Sequence, residues 1–218
     1  MSKECQLLHE IFNKINRYHF PFNDKEIPKN GIYILFEKNE TGHGLDRIVR
    51  IGTHTGDNQL PSRLKQHFLN ENKDRSIFRK NIGRAILNQN QDPFLEKWEL
   101  DLTSREKREL YAPKIDFTYQ KNIEQQVSQY IRNHFSFVVF EEKSKEERLD
   151  LEAKIISTVS NCQECNSSPK WLGKHSPKDK IRESGLWLVN ELYGIGFTES
   201  EILNLFKHIL MNKDNKKG

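Results

Sequence analysis

Two short apolar runs, separated by a glycine-rich turn, dominate residues 31–52 of the sequence. The first reads GIYILFE (31–37) and the second reads RIVRIG (47–52). The TGHG segment between them has the residue types of tight turns, so the whole stretch predicts a β-hairpin. A further strand-like run, SFVVF at 136–140, lies more than 80 residues downstream, and we expect it to pair with this hairpin.

Apolar residues recur at helical spacing through much of the remaining chain. They predict helices, or helix-like segments, at residues 5–19, 60–70, 71–90, 121–134, 146–160, 185–193 and 199–211. Three strands and several helices in mixed order predict an α+β fold, with a small three-stranded, mostly antiparallel sheet flanked by helices.

The chain of 218 residues is long enough for one largish domain or two small ones, with room for a proper core. We predict a single domain (1–218) with a core at 29–70 and 135–175. A basic helical insertion follows at 71–134, C-terminal helices lie at 184–212, and only the tail, NKDNKKG, is predicted to be disordered.

The net charge of +4 and pI near 8.8 are compatible with a nucleic-acid partner and also with many other proteins. No signal-peptide core and no apolar run of membrane-spanning length is evident. With only three cysteines, we expect a cytoplasmic setting in which the thiols stay reduced.

The acid Glu152 lies on the apolar side of its predicted helix. A helical wheel groups it with Leu149, Leu151, Ile155, Ile156 and Val159. A carboxylate in such a position is costly unless it is paired, hydrogen-bonded or bound to a metal. A salt bridge to an arginine and a metal site are therefore both open readings of Glu152.

Arg63 and His67 are four residues apart and share one side of their helix, beside the apolar residues of the same helix. An arginine there can grip a phosphate through its planar guanidinium, and the histidine can orient a water or a phosphate oxygen. The alternative is that both residues simply lie on the rim of a core helix.

These features occur in a defined order: Tyr33 in GIY, Gly52 in RIVRIG, Arg63 and His67 in SRLKQHF, and Glu152 in LEAKII. This order resembles the GIY-YIG nuclease family, over residues 31–68 and 136–160. The stretch between the two parts is long compared with minimal members, and the total length is similar to that of restriction endonucleases in the family.

The resemblance implies a divalent-metal-dependent endonuclease that cuts phosphodiesters with Mg²⁺ or Mn²⁺. By that analogy Glu152 holds the metal, Tyr33 accepts a proton from the attacking water, and Arg63 clamps the phosphate. His67 stands where relatives carry Tyr or His, and would position the water or relay its proton.

The sequence departs from the family pattern at two points. Arg50 replaces the tyrosine of YIG and cannot act as a base, although it can stabilise phosphate charge. His54, two residues after Gly52, is a candidate for part of the missing role. The family asparagine after the glutamate has no match at the expected offset, and among Asn161 and Asn166 we favour Asn166.

Basic residues interleave with apolar ones in the helix-like segment 71–90. Arg75, Arg79, Lys80 and Arg84 form a strip that we predict contacts a DNA backbone; a merely solvated basic face is the alternative. The loop after the Glu152 helix adds Lys170 and Lys174 as candidate DNA contacts, on composition alone.

Cys162 and Cys165 form a C-x-x-C pair, with His175 as a candidate third ligand for zinc. A structural zinc site needs four ligands and usually a second paired motif. The sequence shows none, so we favour two free thiols.

The sequence therefore predicts a metal-dependent endonuclease that acts on double-stranded DNA. Its overall length favours a restriction-like enzyme. Two alternatives remain open at this stage. One is a DNA-binding module on the same fold that does not cut, which Arg50 favours. The other is a protein-interaction domain in which Tyr33 and Glu152 are core residues.

Overall fold

An antiparallel sheet of four strands forms the centre of the computed structural model, which describes the backbone of residues 2–214 and the side chains of residues 2–210. The strands are β1 (Tyr18–His19), β2 (Gly31–Gly42), β3 (Leu45–Gly52) and β4 (Phe135–Glu141). Their spatial order is β1-β4-β2-β3.

The α+β prediction is confirmed, and so is the pairing of β2 with β3 and with β4. The strand count was wrong by one, because β1 pairs with β4 at the edge of the sheet. β1 has only two residues, which is too short to show the alternation that identifies a strand from sequence.

The β2–β3 turn fixes the register of the hairpin. Gly42 pairs with Leu45, so His43 and Gly44 form a two-residue loop. Both loop residues have positive φ, 53° at His43 and 76° at Gly44. Two-residue loops of this kind match the twist of antiparallel strands. At the opposite end of the hairpin, this register places Tyr33 directly across from Gly52.

Helices pack on both faces of the sheet. They are α1 (Ser2–Asn13), α2 (Leu60–Phe68), α3 (Ile77–Gln89), α4 (Leu95–Trp98), α5 (Arg105–Tyr111), α6 (Phe117–His134), α7 (Lys145–Ser160), α8 (Asp179–Ser184) and α9 (Glu199–Asp214). None of the helices described is long and apolar enough to cross a membrane.

Three helix predictions need correction. The first helix ends at Asn13 rather than residue 19, because the chain turns there to enter β1. The segment 71–90 becomes helical only at Ile77, where the Ser76 hydroxyl caps the helix by accepting the Arg79 N–H. Residues 185–193 form no helix.

The absence of the helix predicted at 185–193 has a local cause. Gly185 ends α8 in the left-handed conformation, with φ of 69°, and Glu191 and Tyr193 also have positive φ. A helix cannot pass through such residues. At the end of the chain, α9 reaches Asp214 and so includes part of the tail predicted to be disordered; residues 215–218 lie outside the described residues.

The two faces of the sheet bury separate hydrophobic clusters, because side chains alternate along each strand. Ile32 and Ile34 of β2 join the first cluster, with α1, α7 and α9. Tyr33 and Leu35 join the second cluster, with α2, α3 and α6. Three of the functional residues predicted from sequence, Arg50, Arg63 and Glu152, meet at the end of the hairpin beside β3, which is an edge strand.

Candidate active site

Glu152 of α7 lies at the end of the hairpin, beside the residue that follows β3. Its Oε1 accepts the backbone N–H of Thr53 at 3.1 Å. The carboxylate lines a cavity of about 270 Å³, which it shares with Arg50, Arg63 and Asn81. Burial raises the pKa of Glu152, and the positive charges of the two arginines oppose that rise.

The position of Glu152 differs in one respect from the helical wheel. Ile155, Ile156 and Val159 are buried as expected, whereas Leu149 keeps 38% of its surface exposed. Glu152 is half-buried at the margin of the apolar stripe rather than inside it. The interpretation of Glu152 as half of a salt bridge is not supported, because Glu152 forms no ion pair with any of the described residues. Its carboxylate is thus held by one backbone bond and faces the cavity.

Arg50 is buried beside the cavity with part of its guanidinium unused. Its Nη1 donates to the Trp187 carbonyl, and the guanidinium lies over the Phe78 ring at 5.2 Å from the centroid. The Nε of Arg50 has no hydrogen-bond partner among the described residues. A buried donor left in this way costs about 1–3 kcal/mol, so a site that retains one calls for a ligand that accepts from it.

Asn81 of α3 supplies a second unused donor to the same cavity. Its Oδ1 accepts from Arg84 Nη1 at 2.6 Å. Because a guanidinium only donates, this bond fixes which end of the amide is oxygen. The Nδ2 is buried and has no partner in the part of the chain that the structure describes. Sequence reasoning missed Asn81, since attention in this helix went to the basic residues.

Arg63 of α2 completes the cationic side of the cavity. Its Nη1 donates to Gln66 Oε1 at 3.1 Å and to the Arg75 carbonyl at 3.2 Å. The residue is half-buried, and it also lines the neighbouring surface pocket that contains Thr53 and His54. The guanidinium therefore stands between the cavity and solvent, held in place by one side-chain and one main-chain acceptor.

The cavity suits a phosphate together with a hard cation. Arg50, Arg63 and Asn81 offer donors for phosphate oxygens. Glu152 and Glu191 line the same cavity and offer carboxylate oxygens, which are the ligands that Mg²⁺ and Mn²⁺ prefer. The residues present thus fit the divalent ion that the sequence resemblance implies.

Tyr33 is fully buried on the α2–α3 face of the sheet. Its hydroxyl and His67 Nε2 are 2.9 Å apart, and His67 Nδ1 lies 2.7 Å from the Ser76 hydroxyl. Gly52 leaves room for the tyrosine, because a Cβ there would come within 2.1 Å of the hydroxyl. Burial, with three arginines nearby, holds the pKa of His67 well below its usual value, so the imidazole is neutral.

A family model for the GIY-YIG domain matches residues 5–216, nearly the whole chain. The chain belongs to the GIY-YIG family. GIY-YIG domains are nuclease domains, and the match spans the hairpin, α2 and α7 that carry the geometry above. No curated protein and no solved structure gives a match to this chain.

The residues that the family resemblance identified do not all lie in one place. Glu152, Arg63 and Arg50 share one cavity, but Tyr33 does not line it. The sequence predicted a tyrosine hydroxyl presented to the phosphate. The structure instead keeps this hydroxyl behind Gly52, in contact with His67.

His54 was a candidate for part of the missing tyrosine's role, and both of its ring nitrogens are engaged by backbone groups. Its Nε2 accepts the Gly31 N–H at 3.3 Å, and its Nδ1 lies 2.5 Å from the Gly56 carbonyl. Burial lowers the pKa of His54, which keeps the ring neutral. In this arrangement His54 ties the loop after β3 to the start of β2, so we assign it no chemical step.

The basic strip on α3 is not the exposed surface that the sequence predicted. Arg79 is fully buried and pairs with Glu124 of α6 at 2.7 Å. Lys80 donates to the Glu99 carbonyl, and Arg84 pairs with the Glu99 carboxylate. Only Arg75 of the predicted strip is exposed. The expected backbone-tracking strip is therefore wrong for its three helical members, whose charges hold the fold together.

The residues predicted in the loop after α7 are exposed but remote from Glu152. Asn166 donates to the Gln163 carbonyl, and Lys174 Nζ lies 3.4 Å from the Arg182 carbonyl. Lys170 is exposed in the same loop. Ser168 of this loop bonds Glu40, near the turn end of the hairpin, whereas Glu152 lies at the other end. Asn81 and Asn190, not Asn166, are the asparagines that line the Glu152 cavity.

Proposed function

We propose that the protein is a divalent-metal-dependent endonuclease that hydrolyses phosphodiester bonds of double-stranded DNA. One observation carries the proposal. A half-buried carboxylate, Glu152, shares a cavity with Arg50 and Asn81, and each of these two residues has a buried donor, Nε or Nδ2, without a partner among the described residues. A phosphate diester accompanied by a divalent cation satisfies both kinds of group at once.

Each residue of the cavity has a distinct part in binding. Glu152, with Glu191 beside it, would hold Mg²⁺ or Mn²⁺; when bound, such an ion neutralises phosphate charge and stabilises the leaving oxygen. Arg50 and Asn81 donate to non-bridging oxygens from the buried side, and Arg63 donates from the solvent side. These donors are fixed by packing before the substrate arrives, as efficient electrostatic stabilisation requires.

Tyr33 and His67 form the candidate proton path. The neutral imidazole contacts the tyrosine hydroxyl through Nε2 and fixes its orientation, and Tyr33, as the phenolate, would accept the proton of the attacking water. For this step the tyrosine hydroxyl must reach the reacting water past Gly52. Gly52 has no side chain, and a Cβ there would come within 2.1 Å of that hydroxyl.

The test is nicking of supercoiled plasmid by the pure protein with Mg²⁺, with Mn²⁺ and with EDTA. We expect metal-dependent nicking by the wild type and none by Glu152→Gln, because a neutral amide holds a divalent ion poorly. Asp150→Asn is the matched control, since Asp150 lies on the same helix and pairs with Lys154 at the surface. It should nick like the wild type.

Melting temperatures complete that experiment. Glu152→Gln should melt close to the wild type, because Glu152 has one backbone bond and no ion pair among the described residues. A large fall in melting temperature, with nicking retained while the variant is folded, would make Glu152 a structural residue. Discrete plasmid fragments, rather than random nicks, would support a restriction-like role. Equal cleavage of RNA and DNA would contradict the proposed preference for DNA.

A DNA-binding module that does not cut is the second candidate. The burial of Tyr33 and the presence of Arg50 in place of the YIG tyrosine favour it. Such a module would bind duplexes with a steep salt dependence and would leave plasmid intact with every metal. Nicking by the wild type that Glu152→Gln abolishes rejects this candidate.

A further inference from the structure

A cluster of thiols and imidazoles lies at the turn end of the hairpin. Cys5 and His9 are one helical turn apart on α1, His43 lies in the β2–β3 turn, and Cys165 follows α7. One potential ligand atom from each of the four lies within 4.8 Å of the other three. Three of these residues are buried and His43 is half-buried.

The separations within the cluster resemble those of a tetrahedral metal site. Cys165 Sγ is 3.5 Å from His9 Nε2, and the four ligand atoms all lie within 4.8 Å of one another. Ligand atoms at zinc-bond distances on a tetrahedron are roughly 3.3–3.8 Å apart. A Cβ at position 42 would lie 2.6 Å from Cys165 Sγ, so glycine at that position leaves the cluster its room.

The ligand chemistry favours zinc over the harder cations. Two sulfur and two imidazole ligands in tetrahedral arrangement form a common structural zinc site, and the oxygen ligands of magnesium or calcium are missing from the set. Thiolate is the form that binds metal.

We propose that Cys5, His9, His43 and Cys165 bind one zinc ion, which fastens α1, the β2–β3 turn and the loop after α7 to one another. The site is separate from the Glu152 cavity, which lies at the opposite end of strand β2. The zinc is therefore structural, and the proposal does not depend on nuclease activity.

His9 is already hydrogen-bonded at both nitrogens, and one of these bonds must change. Its Nδ1 bonds the Cys5 carbonyl at 2.9 Å, and its Nε2 accepts the Ile48 N–H at 3.1 Å. Zinc-bound histidines usually donate their other N–H to a carbonyl, so the first bond suits the site. Zinc at Nε2 takes the place of the Ile48 N–H.

The zinc ligands considered from sequence were Cys162, Cys165 and His175, and the sequence favoured two free thiols instead. His175 is exposed, and outside the cluster. Cys162 lies next to the cluster, with its Sγ 3.4 Å from His43 Nε2, but it is not among the four ligands. Cys5 and His9 were missed because their partners are far along the chain and only the fold brings them together. Cys162 thus serves as an internal control.

The test measures metal in untagged protein purified with zinc supplied during expression. We expect about one zinc per chain in the wild type, in Cys162→Ser and in Glu152→Gln. Cys165→Ser and His43→Asn should bind zinc more than ~100-fold more weakly. This loss is larger than that caused by substituting a residue that only hydrogen-bonds to a zinc ligand. Asn tolerates positive φ, so His43→Asn preserves the turn.

A second measurement keeps the proposal testable if a cysteine variant fails to fold. Wild-type protein loaded with Co²⁺ should show the visible bands of a tetrahedral site, together with thiolate-to-metal charge transfer. Wild-type protein that binds neither Zn²⁺ nor Co²⁺ overturns the proposal. Loss of zinc in Cys162→Ser with retention in Cys165→Ser overturns the assignment of ligands.

Discussion

At the scale of single residues, Arg50 and Asn81 line the cavity and, as Arg148 does elsewhere in the core, each keeps a buried donor without a partner among the described residues. Both atoms are buried, and each costs about 1–3 kcal/mol while it lacks an acceptor. Glu152 lies in the same cavity but accepts from the Thr53 backbone. The carboxylate is therefore not paired with the two donors. This arrangement suits a ligand that brings acceptor oxygens for the donors and a cation for the carboxylate.

The first prediction concerns Asn81→Asp. The aspartate keeps an oxygen for Arg84, so the melting temperature should stay near that of the wild type. It replaces the free N–H with negative charge, so affinity for duplex DNA should fall by at least ~10-fold, the factor of one lost charged hydrogen bond. Fluorescence anisotropy with a labelled duplex measures this.

Gln89→Glu is the control for that measurement, because Gln89 is exposed at the end of the same helix and the variant carries the same added charge. Equal losses of affinity in the two variants would show a general charge effect and no contact at Asn81.

The second prediction concerns His67 and pH. Its folded-state pKa lies well below the unfolded value of about 6.5, so the unfolded chain binds the proton first as pH falls. The stabilising contribution of neutral His67 is present above pH 6.5 and is lost below it. Relative to His67→Gln, the wild type should lose about 2 kcal/mol between pH 7 and pH 5.

Urea unfolding of both proteins at the two pH values measures that difference. A stability difference that stays constant from pH 7 to pH 5 would mean that folded His67 takes up the proton. The Tyr33–His67–Ser76 chain would then carry a charge within the core.

At the scale of elements, α3 shows what periodicity in sequence can and cannot predict. The spacing predicted a helix here, and the helix exists from Ile77 to Gln89. The same spacing predicted that the basic side chains of this helix face solvent. Instead the apolar Ile77 is 45% exposed and the basic Arg79 is fully buried. The reason is Glu124, which lies 45 positions away on α6, and which no local pattern connects with Arg79.

The third prediction follows from that pair. Arg79 bonds Glu124, Ser128 and the His67 carbonyl, so Arg79→Ala leaves a buried carboxylate unmatched and should cost about 3–5 kcal/mol. Arg75→Ala, at the exposed member of the predicted strip, should change stability by less than about 0.5 kcal/mol. Chemical denaturation measures both, and equal effects would contradict this assignment.

At the scale of the whole molecule, the sequence predicted the sheet and the framework of the site better than its surroundings. Tyr33, Arg63 and Glu152 could be located because each lies in a short local motif. The cavity wall could not, because Asn81, Leu188 and Glu191 come from elements distant in sequence. The predicted core of 29–70 and 135–175 omitted the later residues, which the sequence predicted only as C-terminal helices at 184–212. The helix predicted at 185–193 is absent, because the chain turns at Gly185.

Those last residues belong to both hydrophobic clusters. They contribute Ile181 and Trp187 to the second cluster. To the first cluster they contribute Leu186, Leu188, Phe197, Ile202, Leu205 and Ile209. Each such side chain contributes roughly 1.5–3 kcal/mol when buried, so the eight together match or exceed the 5–15 kcal/mol by which a typical domain is stable.

The last prediction is that a chain ending at Ser176 does not fold, although it contains every strand, Glu152 and the whole GIY segment. It should show no cooperative thermal transition by circular dichroism and should bind a hydrophobic dye, because both faces of the sheet lose their cover. A chain ending at Leu210 retains all eight residues and should melt cooperatively. Cooperative melting of the shorter chain would instead make the predicted core sufficient, with the later helices an addition to a domain already stable without them.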